Sequence, residues 1–253
     1  MNTYKTSEIA RRIGIHPNTV RLYEELELIS KPARKENGYR VFTEFHLEQI
    51  KFARISLQVE VLQNGLRKQA ITIIKTSALG HFDKAISLAE QYFQQIKNEQ
   101  KDAEDAILIT ENLLYRDNQE EETLYLTRKE AANYLQLSID AIRNWEMNGL
   151  LTVKRKQNGY RIYNGDDIRR LKIIRCLRRA NYSLSAILRM LNTLTENKEV
   201  NLRQIIDTPK DKEDIISVCD KLITSLKQAE QNAAVMIKML QQMKIQFKEN
   251  PTL

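Results

Sequence analysis

Arg21 stands just ahead of Tyr23 and Glu24, and the same trio returns as Arg143, Trp145 and Glu146. An arginine on the outer face of a helix can bond a phosphate or grip guanine, and it can equally pair with a carboxylate three residues on. Around it, His16, Asn18 and Thr19 in the first copy and Ser138, Asp140 and Ala141 in the second are the residues best placed to reach a base edge. Asn18 suits adenine, while Asp140 suits cytosine or the cap of its own helix, and the cap is the expected use. A second basic set, Arg34, Lys35 and Arg40 against Lys154, Arg155, Lys156 and Arg161, flanks the pairs Asn37-Gly38 and Asn158-Gly159. Positive charge on such a hairpin meets phosphates, which fixes register without reading sequence. Tyr23 and Trp145 keep an aromatic at one position, each three residues after a core aliphatic, a spacing that suits the core. Tyr39 and Tyr160 belong to the same basic hairpins, with packing inside them as the main role expected.

The elements that must hold these residues come from a duplication. Setting Tyr4 beside Leu126 places Ala10 on Ala132, Ile15 on Leu137, Val20 on Ile142 and Leu28 on Leu150. After one missing residue, Asn37-Gly38-Tyr39-Arg40-Val41-Phe42 falls on Asn158-Gly159-Tyr160-Arg161-Ile162-Tyr163. Each copy predicts helix, tight turn, helix, hairpin, helix. In the first, Thr6 or Ser7 is expected to cap a helix carrying Ile9, Ala10 and Ile13, Gly14 to supply the turn, and Pro17 to open the second helix, where its missing amide proton costs nothing. Asn-Gly is the strongest short hairpin signal. The pattern is that of a winged helix-turn-helix.

Two further stretches carry a 3.5-residue seam, the period of a coiled coil. One runs Phe82, Ile86, Ala89, Phe93, Ile96, Gln100, Ala103, Ile107, Thr110, Leu114, and the other Ile215, Cys219, Leu222, Leu226, Ala229, Ala233, Met236, Leu240, Met243, Phe247. Equal lengths suggest that they pair. The expected fold class is therefore mainly α, with two winged helix-turn-helix modules, each bearing a small β-hairpin wing, joined by two long coiled-coil helices. The expected domains are 1–80 (first module), 81–116 (first coiled-coil helix), 117–124 (acidic linker), 125–195 (second module), 196–212 (connector) and 213–248 (second coiled-coil helix).

Composition agrees. In 253 residues, 7 Gly and 4 Pro are too few for a sheet-rich fold, and 42% hydrophobic residues suffice for real cores. A net charge of +7 favours a polyanionic partner, and from Arg128 to Arg189 basic residues outnumber acidic ones by more than two to one. Apolar runs such as Ile107-Leu108-Ile109 are far short of a membrane span, and no secretory signal opens the chain, so a cytoplasmic location is expected. Cys176 and Cys219 with three His give no metal cluster within one chain, and no cofactor is expected. No phosphate loop, nucleophile elbow or acid–base pair is present, so no enzyme activity is expected.

Thr19-Val20-Arg21-Leu22-Tyr23-Glu24 through Asn37-Gly38-Tyr39-Arg40-Val41-Phe42 resembles the MerR family of bacterial transcription regulators, and so does Ala141-Ile142-Arg143-Asn144-Trp145-Glu146 through Asn158-Gly159-Tyr160-Arg161-Ile162-Tyr163. Ala180 to Ile187 looks like that family's next helix pair, whereas the stretch after Ile55 is degenerate. Departures are Leu22 and Asn144, where the family usually has an aromatic, and Gln136, where it usually has Gly. The resemblance implies a cytoplasmic regulator on double-stranded promoter DNA that acts on RNA polymerase indirectly, by distorting an over-long promoter spacer. It also implies contact near the DNA backbone from Tyr23 and Trp145, and two antiparallel long helices. Here both lie in one chain, so a monomeric pseudo-dimer on an asymmetric operator is expected ahead of a homodimer with four wings. An architectural or excisionase-like DNA-bending protein is the alternative. Some members of the family carry a functional Cys near Cys219, but no second Cys accompanies it, and buried structural thiols are expected at Cys219 and Cys176. After the second seam only Lys248 to Leu253 follow, so neither the ligand domain of the family's drug sensors nor the cysteine loop of its metal sensors is expected. If a small-molecule inducer exists, its place is between coil and module, around residues 57–85 and 181–215.

Overall fold

The computed structural model describes residues 2–58, 65–115, 124–154, 159, 161–196, 201–208 and 221–247. The chain divides into two compact units, Met1–Asn98 with Leu226–Leu253, and Glu99–Ser225.

In the first unit, β1 (Thr3–Tyr4), β2 (Ala33–Arg34) and β3 (Arg40–Thr43) form an antiparallel sheet in the order β1-β3-β2, with Tyr4 opposite Phe42 and Arg34 opposite Arg40. Helix α1 (Thr6–Ile13) is capped from Lys5, whose backbone N–H donates to the Glu8 carboxylate at 2.7 Å, so neither Thr6 nor Ser7 is the cap. Gly14 then takes a left-handed φ of 71°, where a Cβ would be strained, and α2 (Pro17–Glu25) begins. Ile9, Ala10, Val20, Ile29, Phe42 and Ile50 make the core, with Ile13, Ile15 and Tyr23 packed against it. Helices α3 (Glu44–Leu57) and α4 (Leu66–Ala78) pack on one another, so the helix pair that looked degenerate after Ile55 is present.

Helix α5 runs Phe82–Tyr115. Its buried stripe is broader than one seam. Ile96 and Ile107 are buried, but Ile86 and Phe93 are half-buried, and Ala85 and Tyr92 occupy the fully buried positions beside them. The reason is that this helix faces two neighbours in the unit: Gln69 of α4 donates to Gln95 at 2.7 Å, while Asp83 pairs with Lys244 from the chain's last helix.

In the second unit, β4 (Tyr125–Thr127) pairs antiparallel with β5 (Ile162–Asn164), Leu126 opposite Tyr163. Thr127 and Glu130 close a reciprocal cap on α6 (Arg128–Tyr134), and these bonds hold the Glu130 carboxyl below its ordinary range. Gln136, with φ 51°, makes the turn into α7 (Ile139–Met147) that Gly14 makes in the first copy. Asn164 and Asp167 cap α8 (Gly165–Arg179), followed by α9 (Leu184–Glu196) and a short α10 (Leu202–Asp207) inside the expected connector. Asp207 accepts from Ile223 N–H at 2.9 Å, capping the start of α11 (Leu222–Phe247). Along α11, Leu222, Leu226, Met236 and Leu240 are buried. Ile215 and Cys219 lie outside the described residues. Cys176 is half-buried, its thiol 3.7 Å from the Ala106 carbonyl, and burial raises its pKa.

Candidate nucleic-acid interface

Helix α2 turns Val20 inward with no exposed surface and leaves Asn18 and Arg21 outside. Thr19 is half-buried. His16, expected among the base-reaching residues, spends its Nδ1 accepting the Asn18 N–H at 3.2 Å, so it caps the helix. Arg21 donates to Asn18 Oδ1 at 2.9 Å. The alternative partner considered from sequence, Glu24, is engaged elsewhere. Tyr23 is half-buried against the core, and that burial pushes its phenol up.

Glu24, its side chain only 9% exposed, accepts from Arg40 on β3 and lies 3.6 Å from Arg34 on β2. Both arms of the first wing are thus tied to α2. Arg40 keeps 23% of its side chain exposed and Arg34 keeps half, so each can still meet a phosphate beside its carboxylate. At the wing tip Gly38 takes φ 79° and Tyr39 donates its backbone N–H to Asn37 Oδ1 at 3.3 Å. Tyr39 is 69% exposed, which corrects the expectation that it packs within its hairpin: Lys35 N–H donates to the Tyr39 carbonyl at 2.9 Å across a loop of three residues, 36–38, which has no interior to receive a ring. Lys35 is exposed beside it.

The second copy differs in detail. Ser138 caps α7, accepting the Ala141 N–H at 3.0 Å, and Asp140, expected to cap, is exposed on the first turn. Arg143 and Asn144 are exposed, whereas Trp145 is buried, so this aromatic serves the core. Glu146 has three partners: Arg128 at 2.6 Å, Arg161 at 3.1 Å and the Tyr163 hydroxyl, which also accepts from Arg128 at 3.1 Å. Burial and the Glu146 carboxylate push the Tyr163 phenol up to about 12, so it stays a donor at neutral pH. Lys154 is exposed, and Arg155, Lys156 and Tyr160 lie outside the described residues.

Sequence reading missed Arg128 and the two glutamates as organisers. Their signal was available: Glu24 with Arg40 and Glu146 with Arg161 are the charge pairs that survive in both copies. The arrangement offers two exposed helix faces, each with an arginine, flanked by further arginines on or beside the strands. Among the described residues no group of three or more His, Cys, Asp or Glu could hold a metal ion, and no helix is long and apolar enough to cross a membrane.

Comparison with known proteins adds to this geometry. Residues 5–42 match the MerR family regulatory proteins, and residues 126–194 match the MerR HTH family regulatory proteins. The chain is similar to the HTH-type transcriptional regulator CueR of Salmonella typhi, 40% identical over 21% of this chain and 38% of that protein. It is also similar to the HTH-type transcriptional regulator ZntR of Escherichia coli, 31% identical over 26% of this chain and 46% of that protein. Each of these matches spans less than half of the relative's length. No solved structure matches the chain.

Proposed function

The chain belongs to the MerR family of helix-turn-helix regulatory proteins, with one MerR-type module in each unit, and from that premise we propose that it is a sequence-specific DNA-binding transcription regulator reading two unlike half-sites. The observation that carries the reading is the repeated presentation of an exposed arginine, Arg21 or Arg143, on a helix locked to its wing through Glu24 or Glu146. Recognition helices α2 and α7 enter successive major grooves, and the wings meet the flanking phosphates. Their first-turn residues differ, Asn18 and Thr19 against Asp140 and Ala141, so the two half-sites differ. The chain acts as a monomeric pseudo-dimer in which α5 and α11 pair antiparallel. In support, the Asp83–Lys244 pair and the Phe45 ring, which touches both Phe82 and Phe247, bring the end of α11 to the start of α5, the sense such a pair requires. Bound to a promoter, two modules at fixed spacing offset the several kcal/mol of bending and untwisting a spacer and so alter polymerase access, in response to a small molecule.

The test is operator binding by the full chain at moderate salt. Arg21→Ala and Arg143→Ala are each expected to weaken binding about tenfold or more, each affecting its own half-site. If neither changes affinity, the two-module reading fails.

A further inference from the structure

In the first unit a cavity of about 980 Å3 lies where the base of the wing meets the turn from α4 to α5 and the end of α11. Three rings wall it: Phe45 sits 6.1 Å from Phe82 and 5.0 Å from Phe247, centroid to centroid, in tilted or edge contact. Such walls accept a flat aromatic body. His46, on the same lining, supplies no charge. Burial lowers its pKa to about 4, and its Nδ1 accepts the Thr43 N–H at 3.0 Å, which fixes the neutral ring. Charge is confined to side chains of the lining that reach solvent. Lys244 is matched by Asp83, and Lys31 and Lys84 leave the balance positive.

The duplication provides an internal control. In the second unit Asp167 and Arg170 stand at the positions of His46 and Gln49, and the pocket they line with Thr152 holds only about 360 Å3. The second copy thus lines a smaller, charged cleft with these residues, and the first an aromatic one.

The cavity is also wired to the wing. His46 Nε2 bonds Ser30 Oγ at 3.3 Å, and the Ser30 hydroxyl and N–H both donate to Gln49 Oε1 at 2.9 Å. Gln49 in turn donates to the Ala78 carbonyl at 3.2 Å. Ser30 precedes the wing and Thr43 ends it, so both ends of the hairpin are bonded through α3, and by way of Gln49 to the end of α4, which lines the cavity.

We propose that this cavity binds one aromatic organic anion per chain, rings among Phe45, Phe82 and Phe247 and carboxylate at Lys31 and Lys84, and that the Ser30–Gln49–Ala78 relay passes occupancy to the first wing. The inference deepens the regulator reading and rests on it for its consequence on DNA, but not for binding itself.

Naphthoate is the probe, titrated by calorimetry into the full chain, with neutral naphthalenemethanol as control. One saturable site is expected, weakened at least about tenfold by Leu79→Trp, which fills the cavity from a lining residue that is 72% exposed and so leaves the core intact, and similarly by Lys31→Glu with Lys84→Glu. Naphthalenemethanol should bind more weakly. Naphthoate should also change operator affinity, and Gln49→Leu, which breaks the relay at a residue that does not line the cavity, should abolish that change while keeping naphthoate affinity. Absence of binding up to about 1 mM, or binding indifferent to Leu79→Trp, overturns the site while operator binding by the unliganded chain leaves the regulator reading standing. Failure of the unliganded chain to bind any operator sinks the regulator reading instead, whatever naphthoate does.

Discussion

His46 is the side chain whose protonation most directly opposes the fold. Desolvation holds its pKa at about 4 against an ordinary 6.5, and a proton on Nδ1 would face the Thr43 N–H that now donates to it. Between those two values the unfolded chain binds the proton and the folded chain does not. Stability from this group is therefore complete above pH 6.5, falls as the pH drops towards 4, and levels off below, a loss of about 3 kcal/mol across the window. Urea midpoints measured through that window should fall steeply in the natural chain and much less in His46→Gln, whose amide oxygen can take the same bond. Equal slopes would show that His46 does not titrate with unfolding. Gln136 is a second residue at odds with its place: at φ 51° its Cβ is strained where Gly14 is not. Gln136→Gly should raise stability by up to about 1 kcal/mol, since relief of strain outweighs the entropy of an exposed glycine, and a lowered melting temperature would contradict this.

At the scale of elements, α11 is the sharpest case because its two faces differ so plainly. Leu240 is fully buried and Ile245 is 83% exposed. Leu240→Ala should cost about 2–4 kcal/mol by leaving a cavity, and Ile245→Ala less than about 0.5. Similar small effects at both would mean that α11 does not pack as a core helix. These helices were legible in the sequence because a seam repeated over many turns is a strong signal, as were the modules, because Asn-Gly-Tyr-Arg follows Arg-x-aromatic-Glu in both copies at distances that differ by one residue. What escaped was short or long-range. Strands β1 and β4 are two or three residues that become strands only by pairing with β3 and β5 some forty residues away. Helix α10 is one turn and a half, too short to show a period. At the site, Arg21 and Arg143 were found as exposed arginines, but the ties of Glu24 and Glu146 were not, because Arg128 reaches Glu146 from another element. The His46 relay was invisible for the same reason: a lone histidine says nothing until Ser30 and Gln49 are brought to it.

For the whole molecule the consequence of duplication is asymmetry. A homodimer of identical modules reads like half-sites by symmetry, whereas modules joined in one chain are free to diverge. The copies differ where a base would be read: α2 offers Asn18 bonded to Arg21, and α7, capped by Ser138, offers an exposed Asp140 and Arg143. The supports behind them are conserved in kind, an arginine from the wing on a nearly buried glutamate in each unit. Selection that kept the scaffold twice and let the reading residues drift apart fits a site that is not a palindrome. The operator recovered from genome-wide binding should therefore bind one chain, measured as a mass by light scattering on the fragment. Each mismatched base pair in such a site costs about 1–3 kcal/mol, so replacing either half-site with an inverted copy of the other should weaken binding tenfold or more, in both directions. If one of the two palindromes binds as tightly as the natural site and carries two chains, the long helices pair between chains, four wings are in play, and the single-chain reading must be given up.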